Sequence, residues 1–172
     1  AGAIRCFDAF FQAEENKALP IFSNYFFPAC LGAGETWLAL GELDKARHYA
    51  QRLCDLSSGP PERTYLALGH RLFAEIAITE EVLDEANSHI AEALEIVENA
   101  EIPLAAWRVY ATGEKLYHRR DDVRRMSHCR SKKQDEIDQL LNSLQVSDPL
   151  REHLLNLAES HNSLSSTGYS VA

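Results

Sequence analysis

Compact residues return along this chain at an interval of about 40 residues, and this interval constrains the fold more than any other feature. Segments 31–56, 71–96 and 110–135 align at offsets of 40 and then 39. A compact side chain lets a neighbouring helix approach closely, so a fixed interval of such residues predicts a stack of similar helix pairs. The aligned compact residues are Gly34, Ala74 and Gly113 in the first helix of each pair, with Ala46 and Ala86 in the second helix.

Proline, glycine and serine residues divide the chain into segments of helical length, and no sustained alternation of period two predicts a strand. The fold class is therefore predicted to be all-α, an antiparallel helix-hairpin stack of about 7–8 helices. Pro28 interrupts the first hairpin, so we expect that helix to begin at about Phe27, after an apolar lead-in. The predicted single domain covers 1–160: an N-terminal helix 3–19, hairpins at about 23–58, 62–99 and 103–144, a capping helix 149–160, and then a flexible tail 161–172.

Composition excludes several classes of protein. A formal charge of −9 repels phosphate backbones, so direct nucleic-acid binding is not expected. No apolar run is long enough for a membrane span, and no signal pattern opens the chain, although a start without Met suggests a piece of a longer protein. Scattered cysteines without a CxxC pair predict reduced, mostly buried thiols and a cytoplasmic protein; they are Cys6, Cys30, Cys54 and Cys129.

The hairpin pattern resembles the tetratricopeptide repeat. Gly34 precedes Ala46 by twelve residues, as Ala74 precedes Ala86, and Trp37 supplies the aromatic that follows the first compact position. The chain departs from the family in its longer period, and Arg125 replaces the second compact residue in the last copy. The resemblance implies that the helix pairs form a right-handed α-solenoid that serves as a scaffold for protein–protein interaction.

Longer stretches are similar to the C-terminal helical arrays of large bacterial signalling proteins. These stretches are 37–46, 71–77 and 103–111, and the resemblance covers roughly 25–155. In such proteins the repeats follow an ATPase module and are coupled to a cyclase or a transcriptional regulator. The resemblance implies a role in signal transduction as a sensor or assembly arm, but none of the motifs of those other modules occurs in this chain.

In tetratricopeptide arrays the first helix of each hairpin lines the concave face. Placing the first helices of this chain on that face predicts a groove for a partner. Its recurring glutamates and aromatic rings suit a protein or peptide, such as a basic or amphipathic helix. The alternative is that a glutamate here is salt-bridged within the chain, for instance Glu75 with Arg71. Chaperone-binding members of the family hold an acidic tail with lysine and asparagine at these positions, which this chain lacks. The predicted groove residues are Glu35, Leu38, Arg71, Glu75, Ile78, Trp107, Tyr110, Glu114 and Tyr117.

The residues expected of an active site or a metal centre are not found in the sequence. His89 and Glu92 form only one i,i+3 pair, and the glycines Gly32 and Gly34 lie inside a helix and follow no strand. We therefore predict no enzyme, no cofactor and no metal. The basic segment 118–133 contains many acidic residues as well and predicts a solvated helix face.

Two alternatives to the scaffold stay open. A small molecule or signal peptide could bind between helices near Trp107 and Tyr110. The apolar stripe of the last helix could instead support self-association or act as a cap; it consists of Leu150, Leu154, Leu155 and Leu157.

Overall fold

The structure is a computed structural model that describes residues 2–15, 23–57, 62–145 and 147–156. Over these residues the chain is helical, with no strand, and the prediction of an all-α helical stack is confirmed. The predicted tail, Leu157 and the ends of the first and last predicted helices lie outside the described residues. The helices are α1 (Gly2–Glu15), α2 (Ser23–Ala39), α3 (Leu43–Ser57), α4 (Arg63–Thr79), α5 (Leu83–Glu98), α6 (Pro103–Arg119) and α7 (Val123–Ser143), followed by a short helical segment over 149–156.

Three hairpins follow one another at an interval of 40 residues. The first helices α2, α4 and α6, called here the A helices, each contain 17 residues and begin 40 residues apart. Each A helix ends in the same turn, whose central residue has a positive φ: Gly41 at 77°, Glu81 at 63° and Asp121 at 55°. The predicted offset of 39 for the third hairpin is therefore wrong by one residue, and Glu114, not Gly113, occupies the position of Gly34 and Ala74.

Close helix contacts occur at the compact residues that the sequence singled out. A Cβ added to Gly34 would lie 3.7 Å from the carbonyl oxygen of Ala46, the predicted crossing partner, and 2.4 Å from Leu72 on α4. A Cβ added to Gly113 would lie 2.9 Å from the sulfur of Cys129. Gly34 thus permits two contacts at once, because α3 and α4 both pack against the same short stretch of α2.

Pro28 lies inside α2 and does not mark its start. The helix is continuous from Ser23 to Ala39, so the expected start at Phe27 is wrong. Proline removes one donor and leaves the carbonyl four residues earlier without its helical partner. Pro28 is exposed, so water can hydrate this part of the helix, while the neighbouring Phe26 and Phe27 are buried in the core.

The core lies between the A helices and the second helices of the hairpins, and α4 packs against α2, α3, α5 and α6. At one end, Phe11 of α1 contacts Phe26 of α2, with ring centroids 5.7 Å apart. At the other end, Trp107 packs with Ile137 and Leu141, and Leu154 of the last segment covers this cluster. Leu154 therefore packs on the end of the stack, whereas Leu150 and Leu155 of the same stripe are exposed. None of the described helices is long and apolar enough to cross a membrane.

The four cysteines are free thiols. Cys30 and Cys129 are buried, Cys54 is half-buried, and Cys6 is exposed. Burial, reinforced by nearby carboxylates, raises the pKa of Cys54 and of Cys129 to about 12. Both sulfurs therefore stay protonated at neutral pH, which fits the expectation of structural cysteines.

Candidate binding face

Charged side chains from all three A helices meet on one face of the stack. We define the A-helix face by Glu35 of α2, by Arg71 and Glu75 of α4, and by Arg108, Thr112 and Lys115 of α6. The 40-residue interval explains why these residues meet. Glu35, Glu75 and Lys115 occupy one repeat position, so adjacent A helices place them side by side.

One carboxylate on this face accepts hydrogen bonds from two arginines. Arg71 and Arg108 each donate from Nη2 to the same oxygen of Glu35, although Arg108 lies 73 residues away in the sequence. Burial lowers the pKa of Arg108 to about 10, and the positive charge of Arg71 adds to this effect while Glu35 opposes it. Arg108 nevertheless stays charged at neutral pH, so two cations share one carboxylate oxygen.

The second carboxylate of the face is held by α6. Glu75 accepts a hydrogen bond from the Thr112 hydroxyl at 2.8 Å and one from Lys115 Nζ at 2.6 Å. Burial alone would raise the pKa of Glu75, but the charges of Lys115 and Arg71 and these two hydrogen bonds outweigh it, so its pKa is lowered. Glu75 is therefore ionised at neutral pH and salt-bridged within the chain, although its partner is Lys115 and not the Arg71 that the alternative named, since Arg71 pairs with Glu35.

The A-helix face carries more positive than negative charge and has one unsatisfied donor. Three cations face two carboxylates, which leaves an excess of one positive charge on a chain whose formal charge is −9. Arg71 is buried, and among the described residues its Nε has no hydrogen-bond partner. A buried donor without a partner is costly and is usually satisfied by water or by a bound group.

Most of the predicted groove residues are buried in the structure and offer no surface to a partner. Ile78 has no exposed surface, and Trp107 packs into the cluster at the end of the stack. The expectation of an aromatic-lined groove therefore fails, because the rings fill the space between helices. Glu35, Leu38 and Glu75 keep partial exposure; the buried residues of the predicted set are Arg71, Ile78, Trp107, Tyr110, Glu114 and Tyr117.

Glu114 lies between α6 and α7 and does not line the predicted groove. Lys133 donates to it at 2.8 Å and Arg130 at 2.7 Å. Burial would raise its pKa, but the hydrogen bonds and charges of Lys133 and Arg130 lower it. Part of the basic segment 118–133 is therefore used inside the fold, since Arg120 also bonds to Asp84 of α5 at 2.7 Å.

The sequence carries no local signal for three members of the A-helix face. Arg108, Thr112 and Lys115 contact carboxylates that are between 37 and 73 residues distant. The correct offset of 40 would have aligned Lys115 with Glu35 and Glu75, which is the one clue that the sequence contained. Comparison of the chain with models of protein families, with curated proteins and with solved structures finds no match.

Proposed function

We propose that the chain is a non-catalytic, cytoplasmic scaffold of the tetratricopeptide type that binds a protein or peptide on its A-helix face. The observation that carries this proposal is the convergence of charged side chains from three helices, among which the cations Arg108 and Lys115 stay partly exposed to solvent. The parent context implied by the resemblance, the sensor or assembly arm of a bacterial signalling protein, is part of the same proposal.

The chemistry of the face favours a partner segment that carries a carboxylate. The recurring glutamates of the sequence predict a basic partner, whereas in the structure Glu35 and Glu75 are each paired with cations of this chain. The side chain of Lys115 is 45% exposed and that of Arg108 is 22% exposed. An acidic group can therefore approach both cations from solvent, and charge complementarity would give such a segment its specificity.

Arginine suits this role because its planar fork binds a carboxylate through two parallel hydrogen bonds. Arg108, the partly exposed arginine of the face, is held in place by Glu35, and this fixed geometry reduces the entropy lost on binding. Nothing comparable favours a small-molecule receptor near Trp107 and Tyr110, because both side chains are buried in packed clusters.

The test compares three labelled amphipathic peptides of equal length, one acidic, one basic and one neutral, by fluorescence anisotropy at two salt concentrations. We expect the acidic peptide to bind most tightly and to weaken as salt rises. The variant Arg108→Gln/Lys115→Gln should lose about tenfold in affinity, or about 1.4 kcal/mol.

The matched control is Arg124→Gln/Lys132→Gln, which removes the same charge from exposed positions of α7. An equal loss of affinity in both variants would show that the peptide is held only by nonspecific charge attraction. Preference for the basic peptide would restore the original expectation and overturn the A-helix face as an acidic-partner site.

A further inference from the structure

A cluster of metal-ligand side chains lies away from the A-helix face, between the two helices of the middle hairpin. His70 comes from α4, whereas His89 and Glu92 come from successive turns of α5. One ligand atom from each of these residues lies within 4.8 Å of the other two. The sequence alone showed only the i,i+3 pair on α5, because His70 is brought to it by the packing of the hairpin.

The two distances from His70 match the spacing of ligands around a tetrahedral ion. His70 Nδ1 lies 3.3 Å from His89 Nδ1 and 3.4 Å from Glu92 Oε2. Zinc–ligand bonds of about 2.0–2.1 Å at the tetrahedral angle separate neighbouring ligand atoms by about 3.3–3.4 Å. The side chains would therefore need little movement to coordinate an ion.

The surroundings hold the imidazoles in place and leave one side open. The ring of Phe73 stacks on the His89 ring at 4.7 Å with an interplanar angle of 14°. The His70 side chain is only 15% exposed, whereas that of Glu92 is 54% exposed. Helix packing thus holds His70 and His89. A water molecule can reach the fourth coordination position of an ion from the solvent-exposed side, where Glu92 lies.

We propose that His70, His89 and Glu92 form a site for a divalent transition-metal ion, with Zn²⁺ as the best fit. Two imidazole nitrogens and one carboxylate oxygen are ligands that zinc accepts, and a water completes the four. Hard cations such as Mg²⁺ prefer oxygen ligands and fit this set poorly. A bound ion would link α4 to α5 and stabilise the middle hairpin.

The experiment uses the metal-free 172-residue chain carrying Cys6→Ser, which removes the exposed thiol as a competing ligand. Calorimetric titration with Zn²⁺ alone should give one equivalent bound, and Co²⁺ should give the intense visible bands of a tetrahedral site. Glu92→Gln and His89→Gln should each weaken binding by at least roughly tenfold.

His48→Gln is the matched control, since His48 is exposed and lies on α3, outside the cluster. It should bind zinc as the parent chain does. Because Glu92 is exposed, Glu92→Gln tests the site even if His89→Gln fails to fold. Absence of a stoichiometric site, or an affinity that Glu92→Gln leaves unchanged, would overturn the proposal.

Discussion

The first two hairpins and the third share one backbone interval but differ in the chemistry of their helix crossing. At the compact position the first two hairpins have Gly34 and Ala74, and the third has Glu114. Lys133 occupies the position that Leu53 holds in the first hairpin. The turns and the 17-residue length of the A helices are unchanged, although α7 is longer than α3 and α5. The interval is therefore set by the A helix and its turn, and the crossing can be either apolar or ionic.

In the third hairpin, Glu114 of α6 and Lys133 of α7 form the ionic crossing. Removing only one of these two side chains is expected to have the largest effect on the free energy of unfolding. Glu114→Ala removes the carboxylate to which Lys133 and Arg130 donate, and removing one partner of a buried ion pair costs about 3 kcal/mol of unfolding free energy. Urea denaturation followed by circular dichroism measures the loss. Arg124→Ala, a change at an exposed cation of the same hairpin, should stay within about 0.5 kcal/mol of the parent chain.

Replacing Glu114 and Lys133 together tests whether an apolar crossing can stand in for the ionic one in the third hairpin. Glu114→Ala/Lys133→Leu gives the third hairpin the residue types of the second and first hairpins at these positions. Replacing a buried ion pair by apolar residues is often neutral, so the double variant should lie within about 1 kcal/mol of the parent chain. A double variant as unstable as Glu114→Ala would show that the third crossing is not equivalent to the others.

A smaller effect is expected from filling the apolar crossing. Gly34→Val places new atoms where a Cβ already lies 2.4 Å from Leu72 and 3.3 Å from Tyr49. Overpacking of this kind costs about 2 kcal/mol. Ala39→Val, at an exposed position of the same helix, should cost about 0.5 kcal/mol through helix propensity alone. Thermal unfolding of both variants decides whether the close approach of α3 and α4 to α2 is real.

The smallest effect is expected from acidification. The pKa values of Glu75 and Glu114 are lowered in the folded chain from an ordinary value of 4.5. Their stabilisation is complete above pH 4.5 and is lost as the pH falls below it through the folded pKa values. Between neutral pH and pH 5 these two groups should contribute no change in stability.

The matched measurement is the denaturation midpoint across this pH range for the parent chain and for Glu75→Gln/Glu114→Gln. The variant has no carboxylate to protonate at either position, so its midpoint should fall less steeply below pH 4.5. Parallel curves for the two chains would contradict the ionised, hydrogen-bonded state of both side chains.

Much of the fold could be predicted from the sequence because its signals are local. Gly41 and Pro103 mark helix ends, and the spacing from Gly34 to Ala46 marks a crossing. The predicted offset of 39 for the third hairpin is wrong because Gly113 is as compact as Gly34 but lies one position earlier in the repeat. It permits a different contact, with Cys129. The predicted helix start at Phe27 is wrong because an exposed proline such as Pro28 can be tolerated inside a helix whose other face is buried.

Little of the candidate binding face could be predicted, because its contacts are not local. Arg108 donates to Glu35 although the middle hairpin separates the two residues in the sequence, and no pattern within one helix indicates that pairing. The aromatic residues Trp107 and Tyr110 were assigned to a surface because periodicity identifies the face of a helix but does not say which neighbour covers it. The order of helices in space decides that question.

The most direct test of the account is a double-mutant cycle between Glu35 and Arg108, which measures whether the A helices of the first and third hairpins place their charges together. We expect a coupling of about 1 kcal/mol in unfolding free energy for Glu35→Gln with Arg108→Gln, and none for Glu35→Gln with Arg124→Gln. The first value depends on a contact between residues 73 positions apart. A coupling of zero for both pairs would contradict the shared face on which the proposed function depends.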